Sequence, residues 1–197
     1  EARPLWFVAA DLPESCIPVM EQLIADRRLS TDDIWERLRR LLEAKKIGAA
    51  ITAAAYLPAG QAPSAKTLEA VVGNPVRHLA LLPDNFASSR QGREMALAAV
   101  QRSARNDPLQ AARLWEGIKD KYPAADRGYI YAQLGWMGAL KHLPEALDWY
   151  ALAGNAPLSD EQVAWKARAA LRALDWAMVQ EAIERMPRAM QMQPDWV

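Results

Sequence analysis

The sequence has few of the residues from which metal and redox sites are usually built. It contains one cysteine, Cys16, and only two histidines, His78 and His142, among 197 residues. A single cysteine excludes an intrachain disulfide and a zinc site made of several cysteines. The histidines are too far apart in sequence to form a helical i,i+4 pair. We therefore predict no metal, no cofactor and a buried or half-buried structural thiol at Cys16.

The sequence also lacks an excess of charge and a long apolar run. Lys+Arg and Asp+Glu both number 24, which disfavours a nucleic-acid partner. The longest uncharged run, residues 47–65, is broken by Pro58, Gly60 and Pro63, and its apolar part is too short to span a bilayer. Since 51% of the residues are hydrophobic, disorder is disfavoured. The sequence predicts one domain over residues 1–197, or a segment of a longer one.

Helical periodicity is the dominant hydrophobic pattern in the sequence. No segment alternates apolar and polar residues with β-branched enrichment, so an all-α fold is predicted. Three segments place apolar residues on one helical face. They are Ile34, Leu38, Leu41 and Leu42; Ala111, Leu114, Trp115 and Ile118; and Val179, Ala182, Ile183 and Met186.

Capping residues and prolines mark the predicted helix boundaries. Asn74 and Asp107 each precede a proline at a first helical position. Residues 159–162 and 88–91 read as capping boxes, and residues 30–33 as a looser version. Helices are predicted to end near residues 57, 82, 122 and 186, each of which precedes a proline.

The second half of the chain contains a degenerate repeat. Residues 109–112, 143–146 and 174–177 align at offsets of 34 and 31 residues, and each is followed by an apolar or aromatic helix face. Such a period is typical of tetratricopeptide-like helical hairpins, which bury their apolar faces by stacking. The sequence therefore predicts a right-handed superhelical α-solenoid.

No catalytic constellation is evident, and we predict no catalytic residue. Glu14-Ser15 lies between Pro13 and Cys16 without an apolar helical context, which favours a loop or cap. The acidic pairs at residues 32–33 and 160–161 fall in first helical turns, where they favour the helix dipole. The Gly135-x-x-Gly138 spacing lies in a helical pattern and lacks the Lys-Ser/Thr of a phosphate loop.

Two further groups have a structural and a functional interpretation. The basic residues Arg37, Arg39, Arg40, Lys45 and Lys46 are expected to form a solvated helix face, with a patch for an anionic polymer or partner as the alternative. Exposed tryptophans could stack on sugars, but core packing is the simpler expectation. The tryptophans are Trp6, Trp35, Trp115, Trp136, Trp149, Trp165, Trp176 and Trp196, and three of them (115, 149 and 176) recur near repeat positions.

Two blocks resemble the superhelical, non-catalytic part of soluble lytic transglycosylases. The first comprises residues 12–16, 20–22 and 33–39, which are similar to the entry to the second half of that domain. The second is Trp165-x-Ala-Arg-Ala-Ala-Leu-Arg with the Ala-Ile-x-x-Met-Pro ending at residues 182–187. Pro194-Asp-Trp-Val is similar to the start of the next block. The block residues, all expected to be structural, are Trp165, Arg168, Leu171, Trp176, Met186, Pro187 and Trp196.

The resemblance implies a periplasmic protein, in some members outer-membrane associated, that cleaves the MurNAc–GlcNAc bond of peptidoglycan and forms a 1,6-anhydro end. In the family a glutamate of a C-terminal lysozyme-like domain performs this reaction, and no residue here matches its motif. The resemblance thus implies a scaffold or strand-guiding segment whose partners are glycan strands and that catalytic domain. The alternatives are a free-standing helical-repeat adaptor for a protein partner, or an enzyme with an unrecognised site.

Overall fold

A computed structural model describes residues 2–193, and these residues form helices and connecting segments with no β-strand. The predicted all-α class is confirmed. The α-helices are α1 (Arg3–Trp6), α2 (Ile17–Ala25), α3 (Thr31–Glu43), α4 (Ile47–Ala54), α5 (Ala65–Gly73), α6 (Pro75–Ala80), α7 (Arg90–Asn106), α8 (Pro108–Glu116), α9 (Ala124–Leu140), α10 (Ala146–Ala153), α11 (Asp160–Ala173), α12 (Trp176–Arg185) and α13 (Arg188–Gln191). Short 3₁₀ helices lie at Glu14–Cys16, Phe86–Ser88 and Lys119–Lys121.

The chain divides into two compact units, Glu1–Arg102 and Ser103–Val197. The expectations of one domain over residues 1–197 and of a right-handed superhelix remain predictions. Among the described residues, no helix combines the length and apolar character that crossing a bilayer requires.

Local capping chemistry explains most helix starts. The Ser159 N–H donates to Gln162 Oε1 at 2.8 Å, and the Gln162 N–H donates to Ser159 Oγ at 3.2 Å, which completes the predicted capping box. Ser30 and Asp33 form a second complete box rather than a loose one. Asn74 caps α6, as predicted from the proline that follows it.

The box predicted at residues 88–91 is wrong by one residue. Ser88 is the last residue of a 3₁₀ helix, and Ser89 has the extended backbone of a cap. The Ser89 hydroxyl accepts the Gly92 N–H at 3.0 Å. Two adjacent serines made the position ambiguous, and the preceding 3₁₀ turn resolves it.

Four tight turns between helices share one geometry. In each, a non-glycine residue has a left-handed φ near +58°, and the N–H that follows it bonds to a carbonyl five residues earlier, as in a Schellman motif. The left-handed residues are Arg27 before α3, Lys45 before α4, His142 before α10 and Leu174 before α12. The turns that bring α3 onto α4, α9 onto α10 and α11 onto α12 are therefore built alike.

The core of the first unit forms around the predicted α3 stripe. Ile34, Leu38, Leu41 and Leu42 are all buried, so this periodicity is confirmed. They pack with side chains from α1, α2, α4 and α5. The largest fully buried members are Trp6, Met20, Trp35, Leu38, Leu41 and Leu68.

The predicted solvated basic face is wrong at Arg37. Its side chain lies in α3 but is only 3% exposed, because it donates to the backbone carbonyls of Trp6, Val8 and Ala10. Its guanidinium also lies 4.9 Å from the centre of the Trp6 ring. Arg37 thus fastens the N-terminal segment to α3.

Arg39 has a comparable role on the other side of α3. It donates to both carboxylate oxygens of Glu94, at 2.5 and 3.0 Å. The Glu94 carboxylate is almost fully buried, and Arg90 approaches it as well, at 3.4 Å. By contrast, Arg40, Lys45 and Lys46 are exposed, as expected.

In the second unit, glycines on α9 allow a close approach of α10. A Cβ at Gly135 would lie 2.9 Å from Cγ of Tyr150, and one at Gly138 would lie 2.7 Å from Cζ3 of Trp149. Both aromatic side chains are buried against α9. The Gly135/Gly138 spacing lies within a helix, as predicted, and the structure shows that it allows the two helices to pack closely.

Three cation-to-carbonyl hydrogen bonds each span about one length of the predicted repeat. In each, a Lys or Arg donates to a backbone carbonyl near the end of a helix 30, 35 or 33 residues earlier. The bonds are Arg102 Nε to Val72 O at 3.3 Å within the first unit, and Lys141 Nζ to Asn106 O at 2.9 Å and Arg172 Nη2 to Ala139 O at 3.0 Å within the second. They satisfy carbonyls that have no partner inside their own helix.

Candidate binding surface

The block that suggested the family lies on α11, α12 and the turn between them. Trp165 is half-buried against a small core that includes Ala139, Tyr150 and Ala169. Met186 is buried and forms the C-cap of α12, and Pro187 begins the turn into α13. Trp196 lies outside the described residues. A structural role therefore fits Trp165 and Met186.

The α11–α12 turn contradicts the expected core role of Trp176. Trp176 is 63% exposed, Leu174 is 69% exposed and Leu171 is 41% exposed. The reason is the left-handed turn at Leu174, after which Trp176 starts α12 at a first helical position, before that helix packs on α11. Trp6, Trp35, Trp115 and Trp149 are buried as predicted.

A basic and aromatic cluster involves α11 and the turn that follows α9. The Arg168 guanidinium lies 5.3 Å from the centre of the Trp165 ring. The centre of the His142 ring lies 6.4 Å from the centre of the same Trp165 ring, and the two ring planes are inclined by 47°. Arg172, on the next turn of α11, donates to the Ala139 carbonyl. We call Trp165, Arg168, His142 and Arg172 the α11 cluster. Its π face, guanidinium groups and imidazole can interact with polar rings or anions.

A groove of about 790 Å³ opens elsewhere on the second unit. One wall is the first two turns of α9, and the other is the segment 152–157, which comprises the end of α10 and the residues that follow it. The polar lining side chains are Lys119, Asp120, Arg127, Tyr131 and Asn155. No motif in the sequence indicated this groove, because its walls come from segments more than twenty residues apart.

Tyr131 links the groove to an ion pair. Its hydroxyl donates to Glu116 Oε1 at 2.7 Å, and Lys119 pairs with the other oxygen of the same carboxylate. The hydrogen bond from Lys119 has the largest effect on the pKa of Glu116 and the bond from Tyr131 the next largest, and together they lower this pKa below its usual value. Burial, followed by the bond to Glu116, raises the pKa of Tyr131. All three groups keep their ordinary charge at neutral pH.

The residues considered for chemistry do not come together. Glu14 and Ser15 are exposed on a 3₁₀ turn, and Cys16 is half-buried, as expected. The acidic pairs at 32–33 and 160–161 lie in the first turns of α3 and α11, as predicted. Within residues 2–193, no group of three His, Cys, Asp or Glu side chains is placed to hold a metal ion.

Comparison with solved structures gives the fold a context. Lytic transglycosylase Slt from Pseudomonas aeruginosa, in an inactive mutant form, matches with a TM-score of 0.71 at 20% identity. The 70 kDa soluble lytic transglycosylase from Escherichia coli matches at 0.57, and a complex of the 70 kDa enzyme with bulgecin A at 0.56, both at 20% identity. Neither a family model nor a curated protein matches the sequence.

The chain has the fold of a segment of soluble lytic transglycosylases. Each match covers 99% of this chain and 32% of the solved enzyme, so the chain spans about a third of their length. The predicted resemblance to soluble lytic transglycosylases is thereby confirmed in the fold. At 20% identity the match does not transfer individual residue roles, which rest on this chain's own geometry.

Proposed function

We propose that this chain is a helical scaffold that guides glycan strands within a periplasmic lytic transglycosylase of peptidoglycan. The observation that carries the proposal is the match to such enzymes along 99% of the chain. The parent reaction would be cleavage of the MurNAc–GlcNAc bond with formation of a 1,6-anhydro end. A lysozyme-like domain outside this sequence would perform it, and its docking partner would be this scaffold.

The surface chemistry of the second unit is compatible with strand contact. The α11 cluster offers a half-buried indole beside a guanidinium and an imidazole, a combination suited to a sugar ring and its polar substituents. One of the similar structures is a complex of the 70 kDa soluble lytic transglycosylase with bulgecin A.

Co-sedimentation with purified peptidoglycan sacculi tests the proposal. The purified chain is expected to pellet with sacculi at both low and physiological salt, and to remain in the supernatant with insoluble cellulose. A zymogram on peptidoglycan should show no cleared band from this chain alone. Absence of the chain from the sacculus pellet would contradict strand guidance, and a cleared band would contradict the scaffold role.

The exposed α11–α12 turn favours a second candidate, a helical-repeat adaptor that docks a protein. Large exposed apolar side chains are typical of interaction sites when they are contiguous. If this turn docks a protein, Trp176→Ser should abolish binding of that protein. Leu81→Ser, at an exposed leucine in the first unit, should leave the binding unchanged. Equal loss in both variants would contradict docking at this turn.

A further inference from the structure

We draw no further inference here: the strongest candidate, the exposed apolar turn between α11 and α12 with Leu171, Leu174 and Trp176, carries none because nothing in residues 2–193 shows whether a second copy or another protein covers it.

Discussion

At the residue scale, Arg37 is the buried cation on which the N-terminal segment depends. Replacing it with alanine leaves the carbonyls of Trp6, Val8 and Ala10 without their donor, so we expect Arg37→Ala to lower the free energy of unfolding by about 3 kcal/mol. Urea denaturation measures this. Arg40 is an exposed arginine on the same helix that makes a single hydrogen bond to this segment, at the Phe7 carbonyl, so Arg40→Ala should cost below about 1 kcal/mol. Equal losses in the two variants would contradict the anchoring role.

A second residue-scale prediction concerns acid pH. Burial raises the pKa of Asp33, but hydrogen bonds from Ser30 and the charge of Arg3 outweigh it, so the pKa lies below its usual value. A carboxyl with a lowered folded-state pKa contributes stability above its unfolded pKa, and loses this contribution as the pH falls through the folded value. The advantage of the native chain over Asp33→Asn should therefore shrink between about pH 5 and pH 3.

Urea midpoints at pH 5, 4 and 3 for both chains check this sign. Asp84→Asn, a change at an exposed aspartate, controls for the loss of one negative charge. A stability difference between the native chain and Asp33→Asn that grows as the pH falls would contradict the assignment.

At the element scale, the α9–α10 contact depends on two glycines. Alanine has the higher helix propensity by about 1 kcal/mol, yet a Cβ at Gly135 would press on the ring of Tyr150, whose hydroxyl is held by the Gln162 carbonyl at 2.9 Å. We expect Gly135→Ala to destabilise the fold by about 1–3 kcal/mol. Gly48→Ala in α4, where nothing lies within 4 Å, should stabilise it by about 1 kcal/mol. Thermal unfolding of both variants tests the comparison, and a stabilised Gly135→Ala would contradict the close packing.

The left-handed turns give a second prediction at this scale. Lys45 has a φ of +60°, a conformation that costs an L-residue about 1 kcal/mol and glycine almost nothing. Lys45→Gly should therefore raise the free energy of unfolding by up to about 1 kcal/mol. Glu69→Gly, at an exposed position within α5, should lower it by a similar amount. Destabilisation by Lys45→Gly would mean that the lysine side chain supports the turn.

At the scale of the whole molecule, a feature could be predicted from the sequence when the residues that form it are close together along the chain. The capping box of residues 159–162 and the α3 stripe depend on neighbours within one or two helical turns, and both were predicted. The burial of Arg37 depends on carbonyls 27 to 31 residues away, and a local charge pattern carries no sign of them. The groove was missed for the same reason, since its two walls meet only after α9 and α10 have packed.

The exposed α11–α12 turn leads to a prediction about the molecule as a whole. The side chains of Trp176 and Leu174 are largely exposed to water. Burial of their apolar surface against a second molecule would stabilise the complex by roughly 25 cal/mol per Å² of buried surface. We expect concentration-dependent self-association in analytical ultracentrifugation, and Leu174→Asp should abolish it. Aspartate tolerates the left-handed backbone of this position, so the substitution should leave the turn intact. Leu81→Asp, an equally exposed leucine of the first unit, should associate like the native chain. A strictly monomeric native chain at high concentration would show that this turn does not mediate association between copies.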